Sequence, residues 1–136
     1  MSAKESTIQR RVKQALIDAG CHVEVLSCNA YQRGIPDLYV FYQHETEDGI
    51  FECHWWVDVK RPKGGTLTKS QVQKWSAWEK IGLGVWILTG EEPDPLCFLL
   101  NNEPNWRDWF KPRYEKWLEV NPWEILEDSN SQEDSC

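Results

Sequence analysis

The stretch GIPDLYVFYQHETEDGIFECHWWVDVK, residues 34–60, contains two strand patterns on either side of a polar connection. Residues 37–43 and 51–60 are rich in aromatic and β-branched side chains, while residues 44–49 (HETEDG) are polar and end in glycine. This arrangement predicts an antiparallel hairpin. Opposed residues in such a pair have numbers with a constant sum, and a turn centred between Glu47 and Asp48 makes that sum 95.

That register sorts the hairpin side chains onto two faces. Asp37 falls opposite Asp58, and Lys60 lies two residues farther along the same face. The apolar side chains fall on the other face: Leu38, Val40, Trp55 and Val57. A slip of one residue would mix the two sets, so the pattern favours this register.

Two neighbouring carboxylates at strand ends require charge compensation. One Lys cannot neutralise both in a partly dry site, so a divalent cation is the expected third component. Oxygen ligands favour Mg²⁺ or Mn²⁺ over zinc, and His22, His44 and His54 show no paired spacing that would argue for zinc. The alternative is a solvated hairpin end, in which Lys60 bridges both carboxylates weakly.

The flanking sequence supplies the order helix, strand, strand, strand, helix, strand. Apolar residues at helical spacing predict a helix over 3–19, and alternation predicts a short edge strand over 22–27. A second helix is predicted over 68–81 and an apolar strand over 84–89. This order indicates an α/β sandwich in which the second helix crosses over between the last two strands.

The composition changes near residue 92. Residues 91–100 contain two prolines and are expected to be irregular, whereas 104–120 is expected to be helical. The predicted helix has an aromatic stripe: Trp106, Trp109, Phe110, Tyr114 and Trp117. Three segments are therefore expected: a core over 1–92, a Trp-rich helical extension over 93–122 that packs on the core or on a dimer partner, and an acidic, disordered tail over 123–136.

The formal net charge of −7 is unevenly distributed. Residues 1–90 hold 11 Lys and Arg against 10 Asp and Glu, whereas residues 91–136 hold 4 against 12. Residues 59–78 contain five basic side chains and no acidic one: Lys60, Arg61, Lys63, Lys69 and Lys74. Contacts to nucleic-acid phosphates require such local positive charge, although an ordinary solvated face would have the same composition.

The sequence gives little support for a membrane, secreted or disulfide-bonded protein. It has no run of about 18 apolar residues, and residues 1–20 lack the apolar segment of a signal peptide. The five cysteines are odd in number and none has the close spacing of a zinc or redox pair. A cytoplasmic protein with reduced, structural thiols and no membrane partner is the expectation.

Taken in order, an N-terminal helical Glu, GIPDL, DVK and LTKSQ resemble the motifs of the virus-type replication-repair nuclease (VRR-NUC) family of the PD-(D/E)XK nuclease superfamily. The resemblance covers roughly residues 4–89. It implies a restriction-endonuclease-like mixed sheet flanked by helices, with an α-β-β-β-α-β core and a C-terminal helical extension. The family's motif residues map to Glu5, Asp37, Asp58, Lys60 and Gln71. Asp58 stands where Glu is more usual, which shortens the reach of this carboxylate.

The resemblance also implies an activity, namely Mg²⁺- or Mn²⁺-dependent hydrolysis of DNA that leaves a 5′-phosphate and a 3′-hydroxyl. The metal would be held by Glu5, Asp37, Asp58 and the backbone carbonyl of Val59, while Lys60 would orient or help deprotonate the attacking water. Basic side chains flanking the motifs are expected to contact phosphates: Arg61, Lys63, Lys69, Lys74, Arg10, Arg11, Lys13 and Arg33. Branched DNA, a homodimer and the cytoplasm of a bacterium or a phage-infected host are further implications, and the acidic tail could bind a protein partner.

Several alternatives remain open at this stage. Glu5 and Gln71 each end a capping-box pattern, Ser2 to Glu5 and Thr68 to Gln71, and could serve a helix start instead of the site. Most tryptophans fit core stripes better than base stacking, with Trp56 the exception because it shares the face of the carboxylates. Rival functions are a catalytically idle binding module and an acidic protein that imitates DNA.

Overall fold

The computed structural model describes residues 4–26 and 33–109. The elements in these ranges are α1 (Glu5–Asp18), β1 (His22–Val25), β2 (Leu38–Thr46), β3 (Gly49–Val59), α2 (Lys69–Lys80), β4 (Val85–Leu88), α3 (Pro95–Asn101) and a 3₁₀ helix (Trp106–Trp109). The predicted α-β-β-β-α-β order of the core is confirmed. No helix in the described part of the chain is long and apolar enough to cross a bilayer.

The four strands form one mixed sheet in the order β1-β2-β3-β4. The pairs β1–β2 and β2–β3 are antiparallel, whereas β3 and β4 are parallel and are connected through α2. Leu38 pairs with Val57 and Tyr39 with Trp56, so the predicted sum of 95 is confirmed. The hairpin strands extend farther than predicted, to Thr46 and from Gly49, because only two residues are needed for the turn.

Helices cover the sheet on two sides. On one face, α1 and α3 pack against the alternating apolar residues of the strands, and the buried core contains Ile8, Val12, Leu16, Leu38, Val40, Trp55, Val57, Val59, Leu88, Leu96 and Leu99. On the other face, α2 and the 3₁₀ helix form a second core with Leu67, Val72, Trp75, Val85, Ile87 and Trp106. Asp58 pairs with Ile87, so it lies on the α2 face.

The expectation of irregular structure over residues 91–100 is confirmed for 91–94 and wrong for 95–100, which are helical. Asp94 accepts a hydrogen bond from the Cys97 amide at 3.1 Å, and Pro95 opens α3 at a position where a proline costs no backbone hydrogen bond. Within the helix predicted over 104–120, residues 106–109 form a 3₁₀ turn, and Trp106 packs edge-on against Trp75 at 5.8 Å. Residues 104 and 105 of that predicted helix are not helical, and residues 110–120 and the acidic tail lie outside the described residues.

The free edge of β4 is covered by the segment that follows α3. The Asn105 side chain accepts a hydrogen bond from Ile87 N at 2.6 Å and donates one to Ile87 O at 3.3 Å. Trp86 Nε1 donates to Asn102 O at 2.8 Å. The two Asn105 bonds satisfy backbone groups of Ile87 that an edge strand would otherwise expose.

Candidate active site

Asp37 and Asp58 meet where β2 begins and β3 ends. Asp37 N donates to Asp58 Oδ1 at 3.2 Å, and Val59 N donates to Asp37 Oδ2 at 2.9 Å. Each acidic side chain therefore accepts a backbone hydrogen bond from the neighbouring strand. The exchange fixes both carboxylates side by side on the α2 face of the sheet.

The loop that delivers Asp37 is anchored to α2. Gly34 has a φ of 80°, and a Cβ there would come within 2.7 Å of Ser70 O, so only glycine fits this turn without displacement. Trp75 Nε1 donates to Gly34 O at 2.7 Å, and Pro36 is buried. The GIPD segment is thus a close-packed support that sets the position of the first carboxylate relative to α2.

Lys60 and Gln71 complete a hydrogen-bonded group around Asp58. Lys60 Nζ lies 3.1 Å from Asp58 Oδ2 and donates to Gln71 Oε1 at 3.1 Å, while Gln71 Nε2 donates to Asp58 Oδ2 at 3.4 Å. Gln71 also forms the capping box at the start of α2 with Thr68. The two readings of Gln71 are therefore not exclusive, since one side chain caps the helix and contacts the site.

Burial gives Asp58 an unusual protonation equilibrium. Its side chain is only 1% exposed. Desolvation, followed by repulsion from Asp37, raises the pKa of Asp58 to about 7, while Lys60 acts in the opposite direction. One ammonium group therefore does not compensate the two carboxylates, which is the imbalance that a divalent cation would correct.

Glu5 comes from the other layer of the sandwich than the carboxylate pair. It lies in the exposed first turn of α1, a helix that packs on the opposite face of the sheet from Asp58. Lys4 is the N-cap residue of α1 and makes no side-chain cap hydrogen bond, while Ser2 lies outside the described residues. Across residues 4–26 and 33–109, no three acidic, histidine or cysteine side chains converge to hold a metal.

The predicted DNA contacts fall into two groups. Next to the carboxylates, Arg61 follows Lys60 directly and is half-buried, Lys63 is exposed in the following turn, and Lys69 and Lys74 lie on α2. Arg33, also exposed, adjoins Gly34 in the loop before Asp37. The second group, Arg10, Arg11 and Lys13, lies on α1 and so on the other layer of the sandwich.

Sequence reasoning missed the supporting role of Trp75. Its helical stripe assigned it to the core, where it is fully buried, and nothing local indicates that its indole N–H reaches a loop 41 residues earlier in the chain. Gly34 gave part of the signal, because a glycine two residues before a proline predicts a constrained turn.

Comparisons with known proteins support the same architecture. A solved structure described as a VRR_NUC domain matches this chain with a TM-score of 0.52 and 22% sequence identity, covering 75% of this chain and 100% of that one. The chain has the VRR_NUC fold. No family model matches the sequence, and no curated protein sequence matches it. The VRR_NUC likeness thus rests on the arrangement of the strands and helices, and it establishes a nuclease fold of the type that the motifs implied.

Proposed function

We propose that this VRR_NUC-fold chain is a VRR-NUC family member that hydrolyses DNA phosphodiester bonds with Mg²⁺ or Mn²⁺, leaving a 5′-phosphate and a 3′-hydroxyl. The observation that carries the proposal is the pairing of half-buried Asp37 with buried Asp58, to which Lys60 and Gln71 are bonded at the end of β3. A structural ion pair alone would not require a second carboxylate beside a buried one.

The donor set fits a hard divalent cation. Mg²⁺ is commonly bound through one or two carboxylates, with waters and substrate phosphate oxygens completing its coordination, so Asp37 and Asp58 suffice as side-chain ligands. The backbone carbonyl of Val59 is a further proposed ligand, and Glu5 is proposed to support the site through water. When bound, such an ion supplies Lewis acidity and makes a neighbouring water more acidic.

The chain's own residues have separate tasks in this proposal. Lys60 is the cation closest to the carboxylates, and its ammonium would orient the attacking water and offset charge on the phosphate. Gln71 holds that ammonium by accepting its hydrogen bond at 3.1 Å. Arg61, Lys63 and Lys69 would contact flanking phosphates and position the strand without reading its sequence.

Further proposals concern the substrate and the assembly. Branched or junction DNA is the proposed substrate, and a homodimer would present two sites to it. Arg10, Arg11 and Lys13 would extend the DNA surface of each copy, and the acidic tail would bind a protein partner or reduce non-specific contact with DNA. The second candidate function is a catalytically idle nuclease-fold module that binds nucleic acid or protein.

A cleavage assay separates the two functions. Linear, nicked and four-way-junction DNA are incubated with the wild type, Asp58→Ala and Lys60→Ala in Mg²⁺ or Mn²⁺. Asp48→Ala, at an exposed position in the β2–β3 turn, is the matched control. We expect metal-dependent cutting by the wild type and control and a loss of at least about 100-fold in both site variants. Equal cutting by all four proteins, or no cutting of any substrate, would contradict the nuclease proposal.

A further inference from the structure

Aromatic rings adjoin the carboxylate pair on the same face of the sheet. Tyr39 and Trp56 lie opposite each other, two residues along their strands from Asp37 and Asp58, and their ring centroids are 4.9 Å apart. The next pair on this face is Phe41 and His54. These four residues, Tyr39, Phe41, His54 and Trp56, are here called the aromatic shelf.

The aromatic shelf is only partly covered by other elements. Tyr39, Phe41 and Trp56 are half-buried and His54 is exposed. Helix α2 covers the sheet over β4 and reaches the shelf through Trp78, whose ring centroid lies 5.2 Å from that of Trp56. The contact with Trp78 holds Trp56 in place, and part of each side chain of the shelf remains exposed.

Charge distinguishes the aromatic shelf from the carboxylate end of the same strands. None of its four residues is a lysine or arginine, and on β1 the neighbouring positions hold the His22–Glu24 pair, joined at 2.7 Å. The cations Arg61, Lys63 and Lys69 lie beyond the carboxylates instead. A phosphate would therefore lie at the carboxylate end, while the shelf offers flat aromatic rings on which a nucleobase can stack.

Distance and base pairing limit what can occupy the shelf. A strand advances about 3.3 Å per residue, so the Tyr39–Trp56 pair lies roughly 7 Å from the carboxylates, within reach of a nucleotide that borders the scissile phosphate. A base inside an intact duplex is stacked between its neighbours and presents no free face. The occupant must therefore be a base that is unpaired or has left the stack.

We infer that the aromatic shelf binds an unpaired nucleobase next to the scissile phosphate, so that the substrate is DNA with an unpaired nucleotide at the cleavage point. The inference rests on the proposed nuclease function and adds to it a structural reason for selectivity. Tyr39 supplies the central ring, because it contacts both Trp56 and, at 5.7 Å between centroids, His54.

Binding can test this inference without catalysis. Two fluorescent duplexes are compared in Ca²⁺ by anisotropy: one with a single bulged thymidine and one with an abasic residue at the bulge. The proteins are the wild type, Tyr39→Leu, Tyr39→Phe and His54→Ala. Phe51→Leu is the control, because Phe51 is an exposed aromatic residue (46%) on the opposite face of β3.

We expect the wild type to bind the thymidine bulge about 5- to 100-fold more tightly than the abasic bulge, as one stacked base supports. Tyr39→Leu should abolish most of this preference, and His54→Ala should reduce it, whereas Tyr39→Phe and Phe51→Leu should retain it. Thermal melting of each variant checks the fold, and the exposed His54 provides a variant in which unfolding is not expected. Equal binding of the two duplexes by the wild type would overturn the inference.

Cleavage of the same duplexes in Mg²⁺ distinguishes this inference from the nuclease proposal. If both duplexes are cut at the same rate and bound with the same affinity, the inference about the aromatic shelf is contradicted and the nuclease proposal is supported. A base-dependent affinity without any cutting would support the shelf and contradict the nuclease function. An equal loss of thymidine preference in Tyr39→Leu and Phe51→Leu would also count against the shelf, because the effect would not be specific to its face.

Discussion

Replacing Asp58 by Asn should stabilise the metal-free protein at alkaline pH. The pKa of Asp58 is raised from its ordinary value of 3.8 to about 7 in the folded chain by burial and by repulsion from Asp37. The folded state therefore binds this proton more tightly than the unfolded state does. Stability from this group is fully present below about pH 4 and is lost as the pH rises through about 7.

The size of the effect follows from the two pKa values. The difference between 3.8 and about 7 corresponds to about 4 kcal/mol, since each tenfold change in proton affinity is worth about 1.4 kcal/mol. Asn resembles the protonated acid in shape and cannot ionise. Above pH 7.5 and without metal, the free energy of unfolding of Asp58→Asn should exceed that of the wild type by up to about 4 kcal/mol. This difference corresponds to a rise of about 10 to 15 °C in Tm.

Thermal unfolding in EDTA at pH 5 and pH 8 measures this difference. Asp48→Asn is the control, because Asp48 is an exposed aspartate in the hairpin turn. The Tm of Asp58→Asn should exceed that of the wild type by a large amount at pH 8 and by a small amount at pH 5. The Tm of the control should equal that of the wild type at both pH values. Added Mn²⁺ should raise the Tm of the wild type and leave that of Asp58→Asn nearly unchanged. An Asp58→Asn protein that is less stable than the wild type at pH 8 would refute the reasoning.

Two further substitutions test the support of the site. Gly34→Ala should lower the free energy of unfolding by at least about 2 kcal/mol and reduce cleavage, because its Cβ would meet Ser70 O at 2.7 Å. Gly49→Ala is the control, since a Cβ there meets nothing within 4 Å, and it should cost less stability and leave cleavage intact. Urea unfolding and cleavage-rate assays measure both effects. Gln71→Met and Thr68→Val both remove the capping box, so each should lose about 1 kcal/mol of stability. Only Gln71→Met should also lower the cleavage rate, by about 10-fold or more, because Gln71 holds Lys60. Equal cleavage rates for the two variants would mean that Gln71 is only a helix cap.

The carboxylate pair was predictable from sequence because strand geometry is periodic. Once Glu47 and Asp48 formed the turn, the position of Asp37 opposite Asp58 followed by arithmetic, and the buried apolar face excluded the neighbouring registers. The edge position of β1 and the crossover by α2 followed from the same local patterns. These features were predictable because the residues that determine them are close in sequence or are paired across a single hairpin.

Other features depend on tertiary packing and were not predictable. The Gln71 pattern is that of a cap whether or not the side chain also reaches Lys60, so its double role becomes visible only when α2 is placed beside β3. The location of Glu5 depends on how α1 packs, where Ile8 lies against Gly90. The start of α3 is visible in the sequence as Asp94 followed by Pro95, because a proline is tolerated in the first turn of a helix.

The central claim is that Asp37 and Asp58 together hold one divalent cation. Calorimetric titration of Mn²⁺ into the wild type, Asp37→Asn and Asp58→Asn at pH 7.5 tests it directly, with Asp48→Asn as the control. The account predicts that the wild type and the control each bind one Mn²⁺ ion, and that the Mn²⁺ affinity is at least about 10-fold lower in each site variant. Unchanged Mn²⁺ binding in both site variants, or loss in Asp37→Asn with none in Asp58→Asn, would contradict it.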